Sequence, residues 1–422
     1  MLIDYKINGY HLNFMFKPDK DDEIEYINKS NSRAIKLITN KCCFILPDNL
    51  NKIHNDLIAV SSILLILPFV KKKIEFNFSI SKKVKNVLEK TGYLIITKNQ
   101  FIEPRSVNIN SVPSIAYSGG IDSTASLLLL PKNSVVIFLD RININNDNRY
   151  NQDSIYHVLD HLISLDYLTL IMKSDMEYLR VPIGFPTDIA CGIPNILLSE
   201  LLNINSIAYG YCNHHAEFLS NDIDYVCTGD LQLKYENCEN ICSNFSFWKE
   251  LFNSISIGLN FNTMGITEIS TSILIQKSPL NYIVSSCMRG NIDTKCNNCF
   301  KCFKSETIKL FLKNKKFNDN DIKYLSNIIK NEIIKPRYGK KKIEEIDSIK
   351  KIESFILLIA FFHSGKNKTF QRIKLKYQKY LNSFSRNMVW NKNSIKYADI
   401  NYLDSLKIKL EEVDKIILKE LD

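Results

Sequence analysis

Four cysteines stand close together in the stretch SSCMRGNIDTKCNNCFKCFKSE: Cys287, Cys296, Cys299 and Cys302, spaced C-x8-C-x2-C-x2-C. Thiolates two residues apart wrap one metal ion from a tight turn, and a fourth from upstream closes a tetrahedron. Four sulfurs that leave no coordination position open match structural Zn²⁺, with iron–sulfur ligation as the alternative. The other cysteines, Cys238 and Cys242 among them, lack such spacing and read as ordinary thiols.

A second stretch, AYSGGIDSTASLLLL (116–130), places two of the chain's 13 glycines side by side. An apolar run precedes them, and a Ser/Asp/Ser/Thr cluster and a leucine run follow. That order predicts a strand, a tight turn and a buried helix. Gly119 and Gly120 let the backbone turn sharply and bring its N–H groups to a phosphate. Ser118, Ser123 and Thr124 add hydroxyls, and the helix beyond contributes its positive end. No Gly-Lys-Ser/Thr follows, so this is not a Walker A loop, and Gly365-Lys366 lacks that motif's partner residues.

These groups need a frame. From Ser114 to about Ser305 short apolar runs (SIAY, SVVIFLD, YLTLIM, SIAYGY) alternate with helical stretches, which predicts a parallel sheet covered on both faces. Ligands of such sheets lie beyond the carboxyl ends of the strands. His214, His215 and Glu217 follow SIAYGY at such an end and are candidates to line a substrate site. His157 and His161, four apart on a predicted helix, fit a half-exposed helical face better than a metal site. Residues 1–110 read as an α+β accessory domain around the apolar run Leu57–Val70, which is too short to span a bilayer. EPRSVNINSVPS (103–114) reads as a linker. Residues 306–422 read as a helical extension.

Of the 422 residues, 45% are hydrophobic, enough for two or three cored domains. The formal charge of +10 belongs to the C-terminal part, densest at KPRYGKKK (335–342), where a nucleic acid or an acidic protein face could bind. The N-terminus shows no basic-then-apolar signal pattern, and 11 cysteines without such a signal point to the cytosol.

SGGIDS (118–123) resembles the SGGxDS loop of the PP-loop, or N-type ATP pyrophosphatase, superfamily. The resemblance implies a Rossmann-like sheet of the HUP (adenine nucleotide alpha hydrolase) type. It implies ATP with Mg²⁺, held by Ser118, Gly119, Gly120, Ile121, Asp122, Ser123 and Thr124, with Asp140 at the next strand end near the nucleotide. Ser118, Asp122 and Ser123 take the catalytic positions. Together with the four-cysteine cluster, the loop resembles the 7-cyano-7-deazaguanine synthase (QueC) family over about Ser114–Glu306, with Asn195 in the place of a family asparagine at the substrate. Those enzymes adenylate the carboxylate of 7-carboxy-7-deazaguanine, and ammonia then displaces AMP.

Several family segments have no counterpart here. RININNDNRYNQ replaces a Gly-Gln-Arg-His stretch, Pro194 stands for an arginine, YCNHHAEFLSNDIDY replaces the base-facing segment, and the lysine near Thr267-Glu268-Ile269 is missing. With two added flanks, this pattern is similar to QueC-like proteins of bacterial anti-phage systems such as Qat. It implies adenylation of a 7-deazaguanine carboxylate and its transfer to an amine, on a partner protein. The alternatives are a nitrile-forming synthase using ammonia, an RNA-modifying member of the superfamily, and a nucleotide-binding scaffold without turnover.

Overall fold

The structure, a computed structural model, describes residues 1–310 apart from 29–32, 143–150, 212–244, 264–267 and scattered positions of one or two residues, together with 320 and 324. The expected basic helical extension over 306–422 therefore lies almost wholly outside the described residues.

The N-terminal part contributes β1 (Leu2–Asn8), β2 (His11–Lys17), β3 (Glu25–Asn28), β4 (Arg33–Leu37), β5 (Lys41–Ile45), α1 (Asn55–Ile66), β6 (Lys73–Phe76), α2 (Lys82–Glu89) and β7 (Leu94–Ile96). The motif-bearing part follows with β8 (Val112–Tyr117), α3 (Ile121–Leu128), β9 (Val135–Arg141), α4 (Gln152–Ser164), β10 (Thr169–Ser174), β11 (Arg180–Val181), α5 (Ile193–Leu197) and β12 (Ile204–Tyr209). Then come α6 (Phe245–Ser254), β13 (Gly258–Asn260) and α7 (Glu268–Gln276).

Ten strands form one sheet in the order β13-β12-β8-β9-β10-β5-β2-β1-β6-β7, while β11, β4 and β3 form a second, smaller one. The block from β13 to β10 is parallel throughout, β10-β5-β2-β1 pair antiparallel, and β1-β6-β7 return to parallel. The chain is thus mixed α/β, built on a large and mostly parallel sheet. Within the parallel block the chain starts at the centre with β8, runs out through β9 and β10, and crosses back to β12 and β13. That reversal leaves a crevice between the carboxyl ends of β8 and β12.

Side-chain alternation explains why the block has two covered faces. Ala116, Val135, Ile137 and Leu139 enter one core with α1, α5 and α6. Ile115, Tyr117, Val136 and Phe138 enter another with α3, α4 and the end of α7. β9 and β12 are accordingly buried along nearly their whole length. β2, HLNFMFK, alternates exposed and buried positions, as an antiparallel strand with one wet face does. α1 is buried at every position from Asp56 to Ile66, which accounts for its lack of a polar stripe. Among the described residues no helix is long and apolar enough to cross a membrane.

The proline-containing stretch before β8 is tied into this core by Arg105. Its guanidinium is buried and donates to the carbonyls of Ile255 at 2.7 Å, Ser199 at 3.1 Å and Ile204 at 3.0 Å. Burial lowers its pKa to about 10, so it remains a cation at neutral pH. One side chain thereby fixes the segment entering β8, the end of α6 and the start of β12 in a single cluster. Arg105→Met, which keeps the aliphatic bulk but removes the donor to three carbonyls, of which Ser199 keeps the Ile204 N–H, is expected to cost about 3 kcal/mol in urea unfolding. A loss within about 0.5 kcal/mol, as at ordinary surface positions, would show that the cluster does not depend on it.

Candidate functional site

The SGGIDS loop begins where β8 ends. Gly119 has φ +75°, a left-handed conformation that glycine adopts without strain, and an added Cβ would come within 3.3 Å of Ile155 on α4. The loop's shape is set by one carbonyl, that of Gly120. It accepts from the Thr124 N–H at 3.0 Å, the Ser123 hydroxyl at 3.1 Å and the Thr124 hydroxyl at 2.8 Å. Because Ser123 spends its proton there, Ser118 donates to Ser123 across their 2.9 Å contact, and by the same logic Tyr117 donates to Thr124 at 2.8 Å. Ser123 and Thr124 are buried and act as struts, whereas Ser118 is exposed at the tip. All three hydroxyl protons are thus spent within the turn, and Ser118, exposed at the tip, is the one that can redirect its own toward a ligand.

Two further contacts seat this loop, and both involve residues the sequence reading did not select. Asp122 accepts from the Thr271 hydroxyl at 2.6 Å, which ties α7 to the first turn of α3. Just past β12, Gly210 lies against that same turn, and a Cβ on it would stand 2.4 Å from both Cα and N of Ser123. A glycine immediately after an apolar strand was the available signal for this close approach. Thr271 carried no signal of its own.

Asp140 lies at the end of β9, nearly fully buried. Its carboxylate accepts from the Gln152 amide at 2.9 Å and the Tyr156 hydroxyl at 2.8 Å, both on α4. Burial and then that hydrogen bond push the Tyr156 phenol up to about 12. Asp140 thus orients α4 beside the loop. Asn195 on α5 is buried under the sheet, donating at 2.9 Å to Ser114, which in turn donates to the Ser206 carbonyl at 3.1 Å. Ser114 precedes Ser118 by four strand positions, so Asn195 is a core residue of the crossover and lies well below the loop. His157 is exposed and His161 half-buried on α4. His214, His215 and Glu217 fall in 212–244, outside the described residues.

The four cysteines converge. The sulfurs of Cys287, Cys296, Cys299 and Cys302 all lie within 4.8 Å of one another, and Cys296 and Cys302 are 3.7 Å apart. A tetrahedron with ~2.3 Å zinc–sulfur bonds has edges of about 3.8 Å, so the set fits one such ion. Backbone groups complete the knot, with the Cys296 N–H on the Cys287 sulfur and the Cys302 N–H on the Cys299 sulfur, both at 3.4 Å. Gly290 is required in the turn, because a Cβ would meet the Thr294 carbonyl oxygen at 2.3 Å.

Loop and cluster face one cleft of about 590 Å³, within the range of small-molecule sites. Gly119 and Ile121 form one wall and Ser154, Ile155 and Val158 of α4 another. Opposite stand α7 and the cysteine segment, including Cys287 itself, Lys295 and Lys309. Lys295 is held in place by Glu306 at 2.8 Å and Ser305 at 2.9 Å. Cys287 thus makes the cluster part of the cleft's wall.

Residues 247–412 match a family described as "Family of unknown function (DUF6395)". The match takes in α6, β13, α7, the cysteine cluster and most of the basic C-terminal part, while the SGGIDS loop lies outside it. No curated protein matches the chain, and neither does any solved structure.

The cluster yields a direct expectation. Protein purified without chelators is expected to carry about one zinc per chain by elemental analysis, and Cys299→Ser or Cys302→Ser to lose it together with a large part of the thermal stability, since such sites contribute on the order of 10 kcal/mol. Metal-free protein as stable as the metal-loaded form would contradict a structural role.

Proposed function

We propose that this chain is an ATP-dependent adenylating enzyme of the PP-loop type with the HUP fold, acting on a 7-deazaguanine carboxylate and passing it to an amine. The observation that carries the reading is placement. The SGGIDS loop lies at the carboxyl end of β8, where the strand order reverses, and its Gly119 and Ile121 share a cleft with Cys287 of the four-cysteine cluster.

In this reading Mg²⁺ enters with ATP. The exposed Ser118 hydroxyl, turning its proton from Ser123, and the positive end of α3 hold the β- and γ-phosphates. A carboxylate oxygen then attacks the α-phosphorus, the α–β bridge breaks, and pyrophosphate remains on the loop. An amine next attacks the acyl carbon, AMP leaves, and one proton is released. The chain's part is positioning and charge stabilisation. Ser123 and Thr124 keep the turn rigid, Asp122 keeps α7 in place through Thr271, and Asp140 holds α4. The family segments that would handle ammonia have no counterpart, which favours a larger amine, on a partner protein in an anti-phage system, as acceptor. The basic C-terminal segment offers a surface for that partner or for a nucleic acid.

Incubating the pure protein with ATP and 7-carboxy-7-deazaguanine, with and without ammonia, tests the reading. Pyrophosphate is expected to form only when the deazaguanine is present, with the acyl-adenylate mass accumulating, AMP released only as water or an amine displaces it, and no nitrile. Ser118→Ala is expected to lower kcat/KM about 10- to 100-fold, the loss of one hydrogen bond to a charged group, without changing the Tm. ADP and phosphate as products, or no turnover with any carboxylate, would overturn it.

A further inference from the structure

At the mouth of the cleft stands a tyrosine whose position its own packing does not explain. Tyr282 is 96% exposed, the most exposed large apolar side chain among the described residues, and it lines the cleft. Its neighbours are fixed. Leu280 and Val284 are buried in the core shared with α3 and α4, and the Val284 N–H bonds the Leu280 carbonyl at 3.1 Å. The turn starts just as firmly, with the Ser278 N–H on the Ile275 carbonyl at 3.0 Å. A well-held turn therefore presents an aromatic ring to water at the edge of a ligand-sized cavity.

Two carboxamides line the same cleft. Gln276, exposed at the end of α7, and Asn281, half-buried beside the tyrosine, both line the cleft and have no side-chain hydrogen-bond partner among the described residues. Each offers a donor and an acceptor side by side, the pattern that reads the edge of a heterocyclic base. An exposed ring with amides in the same cleft is what stacking on a flat nitrogen heterocycle requires.

We infer that the turn from Ser278 to Val284 is a base-binding element, in which Tyr282 stacks on a purine-type ring and Gln276 and Asn281 hydrogen-bond its edge. The inference deepens the adenylation reading and rests on it for the phosphate end of the ligand. The purine is either the adenine of ATP or the deazaguanine. Both present the same flat, edge-polar surface, and the two are separated by experiment.

Binding to the metal-loaded, full-length chain is measured by calorimetry with three probes: ATP, 7-carboxy-7-deazaguanine and inorganic pyrophosphate. Tyr282→Ala is expected to weaken one of the two purines about 10- to 100-fold. Tyr282→Phe and Tyr282→Trp are expected to stay near wild type, and pyrophosphate, which has no base, to bind all forms equally. The purine that responds is the one stacked. Wild-type affinity of Tyr282→Ala for both purines overturns the inference while leaving the loop's role standing, and so does a parallel loss of pyrophosphate, which would mark a structural effect. Wild-type protein that binds the deazaguanine through Tyr282 but neither ATP nor pyrophosphate would keep the inference and end the adenylation reading. Binding of none of the three ends both.

Discussion

Where β12 leaves the sheet, its backbone presses on the first turn of α3 so closely that Gly210 has no room for even a methyl group. That contact sets the width of the crevice at the strand-order reversal, and the loop geometry follows from it. With the turn pinned from one side by Gly210 and from the other by Ile155 under Gly119, the Gly120 carbonyl can gather three donors and the helix can start without slack. A preformed turn of this kind spends no binding energy on ordering itself, which is what holding a highly charged group requires.

The other wall is made by different physics. From Val284 to Asn297 the described residues belong to no helix or strand, and few apolar side chains anchor them. A chain segment with so little core cannot offset its conformational entropy by burial alone. Four sulfurs that converge on one point would, with an ion bound, supply the missing stability. Lys295, adjacent to the ligand Cys296, is then carried into the cleft by the same knot and locked by Glu306. The cluster is distant in sequence from the loop yet lines the same cleft through Cys287.

What could be read in the sequence was local. The run Ile115–Tyr117, the glycine pair and the leucine run after it specify strand, turn and helix within fifteen residues, and the C-x2-C spacing specifies its own turn. The strand-to-helix alternation behind the parallel block was legible for the same reason. Long-range pairing was not. Nothing in KCCFI or TLIMKS says that β5 and β10 lie antiparallel and join the N-terminal strands to the motif-bearing ones in one sheet. Nor does a stretch with two prolines announce that its arginine will be buried on carbonyls of α6 and β12. The resemblance assigns Asn195 to the substrate, and the structure shows it fully buried, with its Nδ2 donating to Ser114, a contact no sequence pattern announces. The Asp122–Thr271 bond and the exposed ring of Tyr282 depend on where α7 and its following turn pack, and no periodicity encodes that.

The proposed function requires that the loop and the cysteine segment bind a single nucleotide from opposite sides. Hydrogen–deuterium exchange of the metal-loaded chain, with and without the non-cleavable α,β-methylene analogue of ATP, tests it most directly. The account predicts slowed exchange at residues 118–124 and, at the same ligand concentration, across 281–296. Protection confined to one wall, or absent from the loop, would contradict it.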